Sequence, residues 1–161
     1  LPTTETIYFS DPDRGSFCKT GVRPEMGAQY TIGQLFGQAR RLPLTTQRNT
    51  PLRIALSRSH ESEQVKEHIR RLRDQAGEVQ IVEYGSSLKM CRVAEGSVDC
   101  YLRTTPTSEW DTAAGEAIAR GAGVRVAALG SGEALRYNEE SLENPPFICL
   151  TQHLSGYEWQ Q

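Results

Sequence analysis

The sequence predicts an α/β protein in which helices flank a largely parallel sheet and an antiparallel hairpin comes first. Three observations lead to this class. Short apolar runs recur at 52–56, 79–84, 98–102, 124–129 and 147–151. Segments of helical period lie between most of them, and glycines at 77, 96 and 123 punctuate the alternation. Strands and helices alternating in this way bury their apolar faces best as parallel strands joined by crossover helices.

Each element has a local reason. Residues 7–9 and 16–18 read as two strands around Asp11-Pro12-Asp13-Arg14-Gly15, residue types that favour chain reversal. Residues 21–50, rich in Gly, Arg and Gln, lack clear periodicity and read as a long connection. After the strand at 52–56, Ser59 is the expected cap of a helix with Glu61 and Glu63 in its first turn. Val65, Ile69, Leu72 and Ala76 then share one face, Arg70, Arg71 and Arg73 suit the C-terminal end, and Gly77 stops the helix. Gly85-Ser86-Ser87 precedes a short helix with Leu88, Cys91 and Ala94 inward and Gly96 closing it. Residues 112–122 form an Ala-rich helix ended by Gly123. The organisation expected is a hairpin and connection over 1–50, an α/β domain over 51–151 and a polar tail over 152–161.

Composition narrows the function classes. At 161 residues the chain is long enough for one domain with a real core. A net charge of -2 gives no bulk attraction to nucleic acid or anionic lipid, so any anion site must be local. The apolar runs fall far short of the roughly 20 residues of a spanning helix, and no transmembrane segment is expected. Cys18, Cys91, Cys100 and Cys149 lie far apart, without metal-ligand or disulfide-framework spacing. Reduced, mostly buried thiols in a cytoplasmic protein are expected. The chain opens Leu1-Pro2-Thr3 without an initiator methionine, which suggests sequence removed upstream.

Ligands of open α/β sheets bind beyond the carboxyl ends of the strands. The three segments there are Ser57-Arg58-Ser59-His60, Gly85-Ser86-Ser87-Leu88-Lys89 and 103–111, all expected on one side of the sheet. Gly85-Ser86-Ser87 ahead of a helix suits an oxyanion through free N–H groups and two hydroxyls, with Lys89 and Arg103 adding charge. The simpler reading makes Ser86 or Ser87 a helix cap. Asp111, before Thr112-Ala113-Ala114-Gly115 read as a tight turn, is either an N-terminal dipole partner or a hard-cation ligand. His60 alone is most simply a surface or capping residue.

The runs Gly85-Ser86-Ser87-Leu88-Lys89-Met90-Cys91-Arg92-Val93-Ala94-Glu95-Gly96, Tyr101-Leu102-Arg103 and Glu109-Trp110-Asp111-Thr112-Ala113-Ala114-Gly115 change this balance. Together they resemble the C-terminal half of the inositol monophosphatase superfamily, in its CysQ-like 3′(2′),5′-bisphosphate nucleotidase branch. Ser57-Arg58-Ser59-His60 matches that branch too. The resemblance covers about 51–150 and extends more weakly to the hairpin at 8–21. It implies the C-terminal α/β layer of the αβαβα sugar-phosphatase fold, with the hairpin belonging to a first sheet otherwise missing.

The resemblance implies Mg²⁺ as cofactor and Asp111 as metal ligand and catalytic group. Ser86, Ser87 and Lys89 would hold the substrate phosphate and ribose region, Arg103 would face a second phosphate, and His60 would approach the nucleoside. Ser59 and Thr107 are further substrate-binding candidates. Inositol monophosphatases typically carry glutamate where Arg103 stands, and a cation there suits a doubly phosphorylated substrate. The expected reaction is hydrolysis of adenosine 3′,5′-bisphosphate, released in sulfate activation, to AMP and phosphate.

The superfamily's other metal motifs, a G-E-E-type segment and D-P-[LI]-D-G-[TS], are not in this sequence. Asp11-Pro12-Asp13-Arg14-Gly15-Ser16 mimics the second, but its second aspartate comes one position early. With one carboxylate the chain is expected to bind Mg²⁺ feebly and to be inactive alone, as the C-terminal half of a phosphatase partnered by a missing N-terminal half. Exposed strand edges would then favour self-association, including a homo-oligomer. The alternatives are an inositol monophosphatase or fructose-1,6-bisphosphatase-like enzyme, or a truncated, non-catalytic nucleotide-binding or regulatory chain.

Overall fold

The computed structural model describes residues 1–23, 29–57, 62–154 and 156. The first two strands, β1 (Ile7–Asp11) and β2 (Gly15–Lys19), form the expected antiparallel hairpin, with Phe9 opposite Phe17. Asp11 makes the turn: its Oδ1 accepts from the amides of Asp13 at 3.0 Å and Arg14 at 2.9 Å. The stretch read as a plain connection adds α1 (Ile32–Phe36) and β3 (Arg40–Arg41), which pairs with β2. Phe36 of α1 packs edge-on against both Phe9 and Phe17, at 5.1 Å between centroids. Five residues are too few to display a helical period, so this element left no pattern in the sequence.

The remaining elements are β4 (Leu52–Leu56), α2 (Glu63–Ala76), β5 (Val79–Glu83), α3 (Leu88–Glu95), β6 (Cys100–Arg103) and β7 (Thr107–Ser108). After them come α4 (Glu109–Gly121), β8 (Arg125–Ala128), β9 (Glu143–Asn144) and β10 (Phe147–Leu150). Five strands make the main sheet in the order β5-β4-β6-β10-β8. Parallel pairing joins β4 to β5 and to β6, whereas β10 runs antiparallel to both of its neighbours. The sheet is therefore mixed, with one reversed strand among four running the same way.

Alternation along the strands divides the core. Leu52, Ile54, Leu56, Cys100, Leu102, Ile148 and Leu150 face α2, which contributes Val65, Ile69 and Leu72. Each of those helical side chains stabilises by about 1.5–3 kcal/mol through burial. Ala55, Tyr101, Phe147 and Cys149 face the other way, towards α3 and α4. The helices start later or earlier than the sequence suggests. Ser62, whose Oγ accepts from Val65 N at 3.2 Å, caps α2, while Ser59 lies outside the described residues. Two serines three residues apart offer the same signal, and the later one meets the first buried turn. Thr112 to Gly115, read as a turn, lie inside α4.

Gly115 lets α3 and α4 approach closely, since a Cβ there would stand 2.7 Å from Met90 Sδ. Gly121 does the same for the hairpin, since its Cβ would fall 2.3 Å from Ser16 Oγ and 2.6 Å from Ser10 Oγ. The hairpin is further tied to α3 through Glu95, which accepts from Tyr8 Oη, from Arg92 Nη1 at 2.7 Å and from Ser97 Oγ at 3.2 Å. Just before β6 the buried carboxylate of Asp99 accepts from Arg53 N at 2.7 Å and Asn49 N at 3.2 Å. It also meets His153 Nε2 at 2.8 Å. All four cysteines are unpaired and buried. No helix among the described residues is long and apolar enough to cross a membrane.

Candidate active site

A cavity of about 430 Å³ opens beyond the carboxyl ends of β4, β5 and β6. It is lined by Ser57 after β4, the segment from Tyr84 to Lys89 after β5, Arg103 at the end of β6, and Thr107, Asp111 and Thr112 around the start of α4. Its apolar wall includes Tyr101 and Phe147, packed edge to face at 5.5 Å. Burial pushes the Tyr101 phenol up to about 12, so it stays protonated across the neutral range. Described residues from each of the three segments expected at one end of the sheet thus share one cavity, Ser57 alone from the first. Ser59 and His60 lie outside the described residues, so their expected roles have no geometry here.

Around the cavity, donors are arranged at the head of α3. Ser87 occupies the cap position, yet its side chain makes no capping hydrogen bond. Its carbonyl receives the amides of Met90 at 3.1 Å and Cys91 at 3.5 Å, while the amides of Leu88 and Lys89 have no acceptor among the described residues. Simple capping therefore does not account for the two serines. Both are exposed, and Ser86 adopts a left-handed conformation at φ 54°. Free amides and hydroxyls at a helix start form an environment suited to an oxyanion.

The two cations of the site behave differently. Arg103 is half-buried and held from behind: Nε donates to Thr105 O at 3.1 Å and Nη1 to Ser57 Oγ at 3.2 Å. That leaves part of a planar donor fork for the cavity. Lys89 departs from the expectation of a charge reaching for a phosphate. Only 3% exposed, its Nζ donates to Ser86 O at 2.9 Å and Tyr84 O at 3.1 Å, and it lies 5.1 Å from the Tyr101 ring centroid. Burial, and secondarily the charge of Arg103, lower its pKa.

Asp111 stands in the first turn of α4 on the cavity rim, exposed, and its Oδ2 accepts from Ser108 N at 3.2 Å. It fills the dipole-partner role and is also the one carboxylate among the described lining residues. As a hard oxygen donor on the cavity rim it is of the type Mg²⁺ takes, which combines one or two carboxylates with phosphate oxygens and water. The described residues hold no group of three His, Cys, Asp or Glu side chains that would complete a metal site. Thr107 Oγ1 is buried without a hydrogen-bond partner, a polar group available at the cavity wall.

The model of the inositol monophosphatase family matches residues 2–154. The chain belongs to that family. The 3′(2′),5′-bisphosphate nucleotidase CysQ of Salmonella typhimurium is 46% identical over 98 residues, 60% of this chain and 38% of the enzyme. CysQ of Haemophilus influenzae is 33% identical over 162 residues, covering 99% of this chain and 52% of its own length. The crystal structure of CysQ from Bacteroides thetaiotaomicron superposes with a TM-score of 0.84 at 40% identity, over 94% of this chain and 56% of that one. Mycobacterium tuberculosis SuhB shares the fold, with a TM-score of 0.59 at 20% identity. This family member spans about half or less of the length of these two CysQ enzymes.

Sequence reasoning missed several lining residues of this family member. Tyr101 and Phe147 read as ordinary core positions of apolar strands, and nothing in an apolar run distinguishes a cavity wall from a sealed core. Ser57 stood in a loop already singled out, but its contact with Arg103, 46 residues away along the chain, is visible only in the fold. Thr112 follows Asp111 directly, but a threonine inside a helix carries no functional mark of its own.

Proposed function

We propose that this chain forms the phosphate-recognising side of a Mg²⁺-dependent phosphomonoesterase that converts adenosine 3′,5′-bisphosphate to AMP and phosphate. The observation that carries this reading is the convergence of Ser86, Ser87, Arg103 and Asp111 on one cavity. CysQ relatives at 45–46% identity support the substrate class.

The chain's own groups then divide the work. The amides and hydroxyls at the head of α3 bind the anion. Arg103, braced by Ser57, contributes a cationic fork to a second phosphate and disfavours substrates that offer only sugar hydroxyls. Tyr101 and Phe147 exclude water from one side. Asp111 is the residue that would hold magnesium, whose charge stabilises the transferring phosphoryl group. Because a single carboxylate cannot by itself build a working site, the other ligands would come from outside the described residues. The four unpaired thiols support a reducing, cytoplasmic setting.

The single carboxylate equally favours a second reading, nucleotide binding without hydrolysis. Two measurements separate the readings. Calorimetric titration of the chain with adenosine 3′,5′-bisphosphate yields binding that Arg103→Glu weakens at least tenfold. Phosphate release by the full-length protein falls at least a hundredfold in Asp111→Asn. Retained turnover in that variant refutes the role of Asp111, and binding without turnover in the full-length wild type selects the second reading.

A further inference from the structure

Segment 135–144, between β8 and β10, has little regular structure beyond the two residues of β9, yet it is tied to the first two turns of α4 at several points. The amide of Glu109 donates to Leu142 O at 2.9 Å, and the amide of Asn138 to Glu109 Oε1 at 2.8 Å. The buried Asn144 donates through Nδ2 to Thr112 Oγ1 at 2.8 Å. Tyr137 reaches furthest along the helix. Its Oη donates to Glu116 Oε2 and stands 3.2 Å from Thr112 Oγ1. Glu116 is itself buried, and its other oxygen, Oε1, has no hydrogen bond, only the charge of Arg120 at 3.7 Å. A carboxyl buried this deeply is costly unless a donor inside the fold meets it, and among the described residues Tyr137 is that donor. Burial and the adjoining carboxyl raise the phenol pKa, so Tyr137 keeps the proton it donates.

We propose that Tyr137 is a positioning residue: gripped by Glu116, it straps segment 135–144 across α4 and fixes how Asp111 is presented to the cavity. Two attachments of the strap flank Asp111. On one side β9 pairs with β7 and sets Glu143 opposite Ser108, whose amide donates to Asp111 Oδ2 at 3.2 Å. On the other, Thr112 receives Asn144, adjoins the Tyr137 phenol and lines the cavity beside Asp111. With Oδ2 engaged, Oδ1 is the carboxylate oxygen that makes no hydrogen bond among the described residues. Loosening the strap lets this carboxylate swing, so affinity for a cation falls while the anion contacts at the head of α3 stay in place. The consequence for the enzyme rests on the reading of Asp111 as the residue that holds magnesium.

The test uses the full-length protein and Tyr137→Phe, which removes the phenol hydroxyl and keeps the ring. The Mg²⁺ concentration for half-maximal phosphate release from adenosine 3′,5′-bisphosphate is expected to rise at least fivefold. KM for the nucleotide, measured at saturating Mg²⁺, stays within twofold. An unchanged Mg²⁺ requirement overturns the strap, and so does a KM that rises in step with it, the mark of general loosening. Glu116→Leu deprives the phenol of its acceptor and gives the same split, and adding Tyr137→Phe to it raises the requirement less than twofold further. Effects of the two changes that multiply overturn the pairing. Glu116→Gln keeps an acceptor for the phenol and holds the requirement within twofold of wild type. If Tyr137→Phe does not fold, the contrast between Glu116→Gln and Glu116→Leu decides by the same criteria.

A second readout needs neither metal nor nucleotide. Exchange of the Ser108 and Glu109 amide hydrogens, followed by NMR, is expected to accelerate at least fivefold in Tyr137→Phe. Unchanged exchange overturns the strap. A wild-type protein that releases phosphate without Mg²⁺, or releases none, refutes the reading of Asp111, whereas faster exchange of these amides in the variant still sustains the strap.

Discussion

Lys89 and Asp111 each carry two demands in one side chain, and that is why their residue types alone left their roles open. Asp111 satisfies an amide of its own helix start while its carboxylate lies on the cavity rim. Lys89 was legible as a cation near a candidate anion site, but no sequence pattern announces its inward turn onto the carbonyls of Ser86 and Tyr84. Burial also sets how the chain responds to alkali. The Cys91 thiol is pushed up to about 11, chiefly by desolvation, so the folded state keeps a proton that the unfolded state releases above pH 9. The associated stability is complete below pH 9 and declines as pH rises from 9 to about 11. The loss at the upper end is on the order of 2–3 kcal/mol. The lowered pKa of Lys89 works in the opposite sense, adding stability as pH approaches the ordinary lysine range. Urea midpoints under reducing conditions are expected to fall between pH 8 and 10.5, and Cys91→Ala to flatten that fall.

Elements with a long periodic face were legible, and very short ones were not. The face of α2 was readable because Val65, Ile69 and Leu72 repeat over two turns. Neither α1, with five residues, nor the two-residue strands β3, β7 and β9 contain enough chain to establish a period. The reversed sense of β10 had a usable signal: no helical segment separates it from β8, and a parallel return needs a crossover. Packing between elements is where small changes matter most. Gly121 brings α4 against Ser10 and the fully buried Ser16. Gly121→Ala is expected to cost about 1–3 kcal/mol by overpacking, measured as a shift in urea midpoint. Removing both hydroxyls with Ser10→Ala and Ser16→Ala recovers part of the loss, whereas a shift unaffected by their removal would locate the strain elsewhere.

For the molecule as a whole, the two faces of the sheet have separate jobs. The α2 side is closed apolar packing, and the α3–α4 side carries both the hairpin and the cavity. The four thiols lie at buried positions, with burial raising the pKa of each. Native protein is therefore expected to react with a thiol reagent at neutral pH far more slowly than protein in denaturant, where four equivalents titrate. Rapid reaction of even one thiol in the native state would contradict the burial of that thiol.

The position of β10 has a consequence for how the chain acquires this form. It is the last of the described strands in chain order, yet it occupies an interior lane of the sheet, with β6 on one side and β8 on the other. Until it arrives, those two strands have no partner along their facing edges, and Leu102 and Val126 have lost part of their cover. Until β10 emerges the growing polypeptide carries an unfinished layer, and it is most vulnerable to misassociation in that interval.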